Sequence, residues 1–357
     1  MRREGFGTGI LYVLMVLLTV LPTVASAATP YTTYTYSSTG FVLYSPDAYV
    51  PDMVVDPDYI GPDAFNNYIA LSDPRDLEVD PDGNVYLVDG VQNAIYVLDK
   101  YYKYKFTINS FVNEQGVPDG FAGVSGVFIN QRYIYACDAE NSRVVIFDRN
   151  GKFIKTVGKP QSSLVSENAL YRPIAIAVDS YGRMFVVSST TYEGIIVMGD
   201  DAEFYGYIGA QKTSLTPWQA IWRSLGRDDG ETVVSTEYNN ISIDSSNFLY
   251  VTTSNIDDAS QQNAIMGKSK DGTYAPVKKL NASGMDVMRR NGFYPPSGEV
   301  KVSNEATSEI TGASSIVDAA VGPEGTWSII DSKRSKVFTY DRDGNLLFAF
   351  GDGGNQL

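Results

Sequence analysis

The stretch PRDLEVDPDGNVYLVDGVQNAIYVLDKYYKYKFTI, beginning at Pro74, is written again four times in altered form. The copies are SGVFINQRYIYACDAENSRVVIFDRNGKFIKTVG from Ser125, RPIAIAVDSYGRMFVVSSTTYEGIIVMGDDAEFYGYIG from Arg172, YNNISIDSSNFLYVTTSN from Tyr238 and SIVDAAVGPEGTWSIIDSKRSKVFTYDRDGNLLFAFG from Ser315. Each follows one order: an apolar strand ending in Val-Asp, a turn, an alternating strand ending in Asp, a polar turn, a strand ending in Phe-Asp and a last hairpin. Asp89 and Asp138 lie 49 residues apart and Asp138 and Ser188 lie 50 apart, whereas the steps to Thr252 and Asp331 grow to 64 and 79. Insertions therefore interrupt the later units.

Runs such as Val85-Tyr86-Leu87-Val88 alternate with period two between Gly and Asp turns, which is strand patterning. A four-stranded unit of this length cannot bury both faces by itself, but a ring of such units can. The expected fold is all-β: a β-propeller with five recognisable four-stranded blades of a ring of six, and a short helical insertion. FAFGDGGNQL repeats the exits TVGKPQ and YIGAQK that lead from one blade to the next, so a sixth blade is expected beyond the sequence given.

VDPDGNVYLVD at Val79, CDAENSRVVIFD at Cys137 and DSKRSKVFTYD at Asp331 resemble the NHL-repeat family of six-bladed propellers, a group that includes gluconolactonase-like and peptidyl-hydroxyglycine lyase folds. The resemblance covers about residues 74–350. More narrowly, YTTYTYSSTG, the Tyr-Glu-Gly at Tyr192 and LNASGMDVMRRNGFYPP from Leu280 are similar to secreted bacterial NHL proteins of unassigned function in which TPR repeats follow the propeller. This sequence contains no such helical repeats. The resemblance implies a fold strongly and an activity weakly.

Ahead of the repeats, Arg2 and Arg3 precede an apolar run that Pro22 breaks, and Ala25-Ser26-Ala27 offers a cleavage site. Residues 1–27 are expected to be a secretory signal, with a retained membrane anchor as the alternative. Residues 28–70 form a Tyr-rich extended segment that could give a closing strand, and 71–357 the propeller, with insertions at 212–236 and 256–312. Cleavage would move the net charge from −14 to −15, an acidic balance that disfavours nucleic acid. The chain has no histidine and one cysteine, Cys137, expected to be a buried small hydrophobe. Without histidine, Ser-His-Asp chemistry and the histidine-bound zinc of the lyase relatives are excluded.

The candidate binding residues lie mainly in what the repeat does not explain. In the first insertion Thr216-Pro217 starts an amphipathic pattern with Trp218, Ile221, Trp222 and Leu225 on one face. Trp218 and Trp222 are expected at the lip of a cleft, with Tyr192, Glu193, Tyr238, Phe293 and Tyr294 as further ligand-binding candidates. Met285–Arg290 in the second insertion reads as a helix-like turn. The Asp80-Pro81-Asp82-Gly83 and Asp341-Arg342-Asp343-Gly344 turns supply too few carboxylates for a calcium loop, and turn chemistry explains them better.

The resemblance also implies an alternative: gluconolactonase-like propellers hold calcium or magnesium in the channel, and Glu193, Asn240, Asn255 and Asp318 have suitable side chains without the family's motif contexts. The expected function is a secreted, noncatalytic scaffold without a cofactor, binding a protein or glycan of the cell envelope. Stable membrane insertion after cleavage is not expected. A divalent-cation-dependent lactonase is the alternative.

Overall fold

The computed structural model describes residues 31–39, 41–162, 165, 169–191, 194–209, 237–254, 256, 275–289, 297–299 and 312–353. Five blades radiate in chain order. Blade one is β3 (Pro74–Val79), β4 (Val85–Asp89), β5 (Ala94–Leu98) and β6 (Tyr104–Ile108). A small hairpin, β7 (Ser110–Val112) and β8 (Pro118–Gly120), leads to blade two: β9 (Val124–Ile129), β10 (Tyr133–Asp138), β11 (Arg143–Asp148) and β12 (Phe153–Val157). Blade three is β13 (Pro173–Val178), β14 (Met184–Ser188), β15 (Ile195–Met198) and β16 (Phe204–Ile208). Blade four contains β17 (Asn240–Ile243), β18 (Leu249–Thr252) and β19 (Val277–Leu280); blade five contains β20 (Ile316–Val321), β21 (Trp327–Asp331), β22 (Lys336–Tyr340) and β23 (Leu346–Phe350). Within each blade neighbouring strands are antiparallel.

One turn builds most of the hairpins. Asp80 Oδ1 accepts the backbone N–H groups of Asp82 and Asn84 at 2.8 and 2.9 Å, and the next residue but two, Gly83, takes a φ of +84°. Asp99, Asp148, Asp179, Asp244, Asn281 and Asp341 make the same pair of bonds to the residues two and four further on. The side chain imitates a backbone turn, and the left-handed residue that follows is what glycine supplies at least cost. The other oxygen of Asp80 accepts from Asn84 Nδ2 at 2.7 Å and from Arg149, so the carboxylate is engaged by its own turn and the next blade.

The aspartates that end the second strands have a different task. Asp89, Asp138 and Asp331 are fully buried. They accept the N–H groups of Ser72, Ala122 and Ser315, where the chain enters each blade, at 2.6, 2.7 and 3.0 Å. Ser188 Oγ replaces them in blade three, accepting from Arg172 N at 3.0 Å. Burial alone would raise the Asp89 carboxyl, but N–H donors from Gln92, Ser72, Asp73 and Val91 hold it below the usual carboxylate range.

Blade-to-blade packing supplies the core. Tyr86, Val88, Ile95 and Val97 of blade one meet Val127, Ile134 and Phe147 of blade two. Cys137, Val144 and Ile146 meet Ile176, Val186 and Met198; Ala177, Phe185 and Val197 meet Ile241, Leu249 and Val251; Tyr250 and Val277 meet Trp327, Ile329 and Phe338. Among the described residues no cluster of buried side chains joins blade five to blade one.

That interval is spanned on its outer side by residues 31–72. β1 (Thr33–Tyr36) pairs with β23 through Tyr34 and Ala349, and β2 (Val42–Ser45) pairs with β1, so blade five gains two outer strands. The Tyr49 ring packs at a tilt against Phe350, with ring centroids 4.8 Å apart. The chain then crosses to α1 (Pro57–Ile60), a single turn capped by Asp56, and buries Ile60 and Ile69 against Leu98 and Tyr96 of blade one. The Tyr-rich segment thus adds its strands to blade five and its apolar anchors to blade one.

Part of the second insertion belongs to blade four. β19 lies inside 256–312 as the third strand of blade four. The expected helix-like turn at Met285 is instead a hairpin: Asn281 and Gly284 form the turn, Asp286 bridges Leu280, and Val287 N–H donates to the Lys279 carbonyl at 2.7 Å. A short fourth edge completes this blade.

Candidate functional site

Of the seven candidate binding residues, Trp218, Trp222, Tyr192, Glu193, Phe293 and Tyr294 lie outside the described residues, as do the 217–226 helix pattern and residues 1–27. Tyr238 is described and is 7% exposed, packed between blades three and four, with its hydroxyl donating to the Gly209 carbonyl at 2.6 Å. Burial pushes this phenol well up. Its hydrogen bond and packing are both taken up inside the propeller.

Around the axis, the repeat places Asp76, Gly126, Ala175, Asn240 and Asp318 at equivalent points of the innermost strands β3, β9, β13, β17 and β20. Each polar member caps the next N–H of its own strand through Oδ1: Leu77 N at 2.9 Å, Ile241 N at 2.7 Å and Ala319 N at 2.7 Å. Each also reaches towards the following blade. Asp76 Oδ2 accepts Val127 N at 2.7 Å, and Asn240 Nδ2 donates to Asp318 Oδ1 at 2.7 Å. At Gly126 blades two and three pack closely, since a Cβ there would sit 2.5 Å from the Ile174 carbonyl oxygen. By the same rule Asp318 should reach beyond blade five, yet its Oδ2 has no hydrogen-bond partner among the described residues.

Three carboxyls share this axis. Burial raises Asp76 to about 7, opposed by the Val127 hydrogen bond and assisted by the charge of Asp318. Burial, then the charges of Asp76 and Asp318, raises Glu78 to about 8. Burial raises Asp318 to about 6.

Of the four side chains suited to a channel cation, Glu193 and Asn255 lie outside the described residues, and Asn240 and Asp318 are bonded to one another. Both Asp76 oxygens are occupied by backbone N–H groups, Asp318 Oδ1 holds two donors, and Asn240 presents its Nδ2 to Asp318. Among the described residues no three or more carboxylate, thiol or imidazole groups converge on a possible metal position. A hard cation needs several oxygens turned towards one point.

The most exposed apolar surface lies elsewhere. Of the 27 large hydrophobic residues that are exposed among the described ones, 13 fall between Phe41 and Val79. Phe41, Tyr44, Val50 and Phe65 are 69%, 74%, 67% and 85% exposed on the crossing segment, and Leu77 and Val79 are 54% and 52% exposed on blade one. Across the interval Ile330 of blade five is 42% exposed, although its counterpart Val88 is completely buried. No described helix is long and apolar enough to cross a membrane.

Fold and site together define a β-propeller. No protein-family model matches the chain and no curated protein matches it. Among solved structures, a selenomethionine-substituted virginiamycin B lyase from Staphylococcus aureus is similar at 13% identity and a TM-score of 0.41, covering 77% of this chain and 69% of that one. A protein of unknown function from Bacteroides caccae is similar at 10% identity and a TM-score of 0.45, covering 78% and 81%. Similarity at this level transfers no activity, ligand or residue role.

Proposed function

We propose that this protein is a secreted, noncatalytic propeller of the NHL-repeat type that acts as a protein-binding scaffold in the cell envelope. The observation that carries this reading is the concentration of exposed apolar side chains on residues 41–79, continuous in chain with the unpaired face of blade one. Large exposed apolar surface marks an interaction site, because covering it is favourable by about 25 cal/mol per Å². The partner's chemistry follows from the ring. Asp76 accepts a backbone N–H from the next inner strand, so Asp318 calls for one too, and the flanking sheet faces call for apolar side chains. A β-structured protein element answers both. The test is capture of envelope proteins on the immobilised chain, then titration of the purified partner against Leu77→Glu/Ile330→Glu. Loss of affinity by more than tenfold supports the reading; undiminished affinity overturns it.

A channel hydrolase is the second reading, favoured by the Asp76, Glu78 and Asp318 carboxyls brought near neutrality, where an acid or base works best. It predicts lactone hydrolysis that Asp318→Asn abolishes. No turnover by the intact chain, with or without added calcium or magnesium, contradicts it.

A further inference from the structure

The turns between first and second strands and those between third and fourth strands share one face of the propeller. Between blades one and two this face is latched. Arg149, in the turn after β11, donates to Asp80 in the turn after β3 and, through Nη1, to the Asn130 carbonyl at 2.7 Å. Its guanidinium lies 5.8 Å from the centroid of the Tyr86 ring. One blade further on, the repeat puts Asp200 in the place of Arg149 and Asn130 in the place of Asp80. An acid and an amide cannot form that ion pair, and Asp200 pairs with Lys155 at 2.6 Å instead. A groove of about 720 Å³ lies between blades two and three.

Tyrosines rim it. Tyr181 is 80% exposed and Tyr205 53% exposed, with Tyr133 half-buried beside them. Tyr181 is braced from behind: the Arg183 guanidinium lies 5.7 Å from its ring centroid and 5.6 Å from that of Phe185, and Arg183 Nε is fixed on Asp179 Oδ2 at 2.7 Å. An exposed ring with a guanidinium beside it offers its free face for stacking. Gln131, Arg132 and the Asp200 carboxylate add amide, guanidinium and acid groups to the same rim. Flat apolar platforms with hydrogen-bonding groups at their edge suit a pyranose, which has an apolar ring face and equatorial hydroxyls.

We propose that the groove between blades two and three binds an oligosaccharide of about two to three pyranose rings, a size its volume accommodates, with Tyr181 and Tyr205 as the stacking residues. It stands apart from the interval between blades five and one, so its failure leaves the protein-binding reading untouched, and the reverse holds.

The test is a glycan array probed with the intact chain, followed by calorimetric titration of any oligosaccharide retained. The expected result is saturable binding that Tyr181→Ala and Tyr205→Ala each weaken roughly tenfold, while Tyr101→Ala, an exposed tyrosine outside the groove, has no effect. An array without any bound glycan, or binding that survives both tyrosine variants, overturns the proposal. Retention of a peptide at this groove in place of a sugar also overturns it.

Discussion

Asp76 Oδ2 accepts the backbone N–H of Val127 at 2.7 Å, so the inner strand of blade one is tied to the inner strand of blade two by a carboxyl that burial has raised to about 7. Its neighbours Glu78 and Asp318 are raised as well, to about 8 and about 6. A carboxyl whose folded value exceeds its unfolded one binds more protons in the folded state. Its stabilising contribution is complete below the unfolded value near 4 and is lost as pH rises through the folded value. The fold should therefore weaken between about pH 4 and pH 8. Glu78→Gln removes one of these charges, and no hydrogen bond of the Glu78 side chain is among those described. It should stabilise the chain at pH 9 by about 1–2 kcal/mol, after discounting for its half-buried position, and leave it unchanged at pH 4.5. Thermal melts at the two pH values check this.

Arg143 holds the β7–β8 hairpin. It forms a two-pronged pair with Asp119 at 2.8 and 3.0 Å and also donates through Nε to the fully buried Asp138 at 2.7 Å. The paired guanidinium keeps the Asp119 carboxyl well below the usual carboxylate range. Arg143→Met strands the buried Asp138 charge and should cost about 3–5 kcal/mol, read as a lower midpoint in urea denaturation. A loss under 1 kcal/mol would mean that the backbone N–H of Ala122 and the amide of Asn141 suffice for Asp138.

Gly126 has no room for a side chain, because its Cβ would meet backbone of blade three at 2.5 Å. Gly126→Ala should force blades two and three apart at the axis and cost about 1–3 kcal/mol, measurable in the same denaturation experiment. Gly182→Ala, which meets open space and carries only the strain of a φ of +85°, separates the steric effect from the conformational one.

Cys137 is completely buried, and burial pushes its thiol well above the ordinary range. Ellman's reagent should leave the native chain unmodified and react with one thiol after unfolding in guanidinium. Rapid reaction of the native chain would show that blades two and three open at their interface.

The blades were legible because their turns are written in side chains: Asp80, Asp148 and Asp341 each announce a hairpin through an acid followed three residues later by glycine. Blade four hid its last hairpin because asparagine, Asn281, takes the acid's place, and the following Met285-Asp286-Val287 looked helical in isolation. Its two turn bonds at 3.0 Å show that Asn281-Ala282-Ser283-Gly284 obeys the same rule. The axial carboxyls could not be singled out from sequence, since only the register brings Asp76, Asn240 and Asp318 to equivalent points. The groove between blades two and three could not be read from sequence, since only the fold brings Tyr133, Tyr181 and Tyr205 to one rim. Six of the seven binding candidates, Trp218 and Trp222 foremost, lie outside the described residues. The seventh, Tyr238, shows how an aromatic residue at a strand start is absorbed by packing.

Among the described residues, buried side-chain clusters join each of the other neighbouring blades, and none joins blade five to blade one. Ile330 and Val88 hold the same position in their blades, the first 42% exposed and the second fully buried. Single cysteines introduced at these positions in a Cys137→Ser background can be compared by the rate of maleimide labelling in native buffer. The account predicts fast labelling of Ile330→Cys, within reach of a free exposed thiol, and protection of Val88→Cys until the chain unfolds. Equal protection of both would contradict it, for it would mean that something already closes the ring.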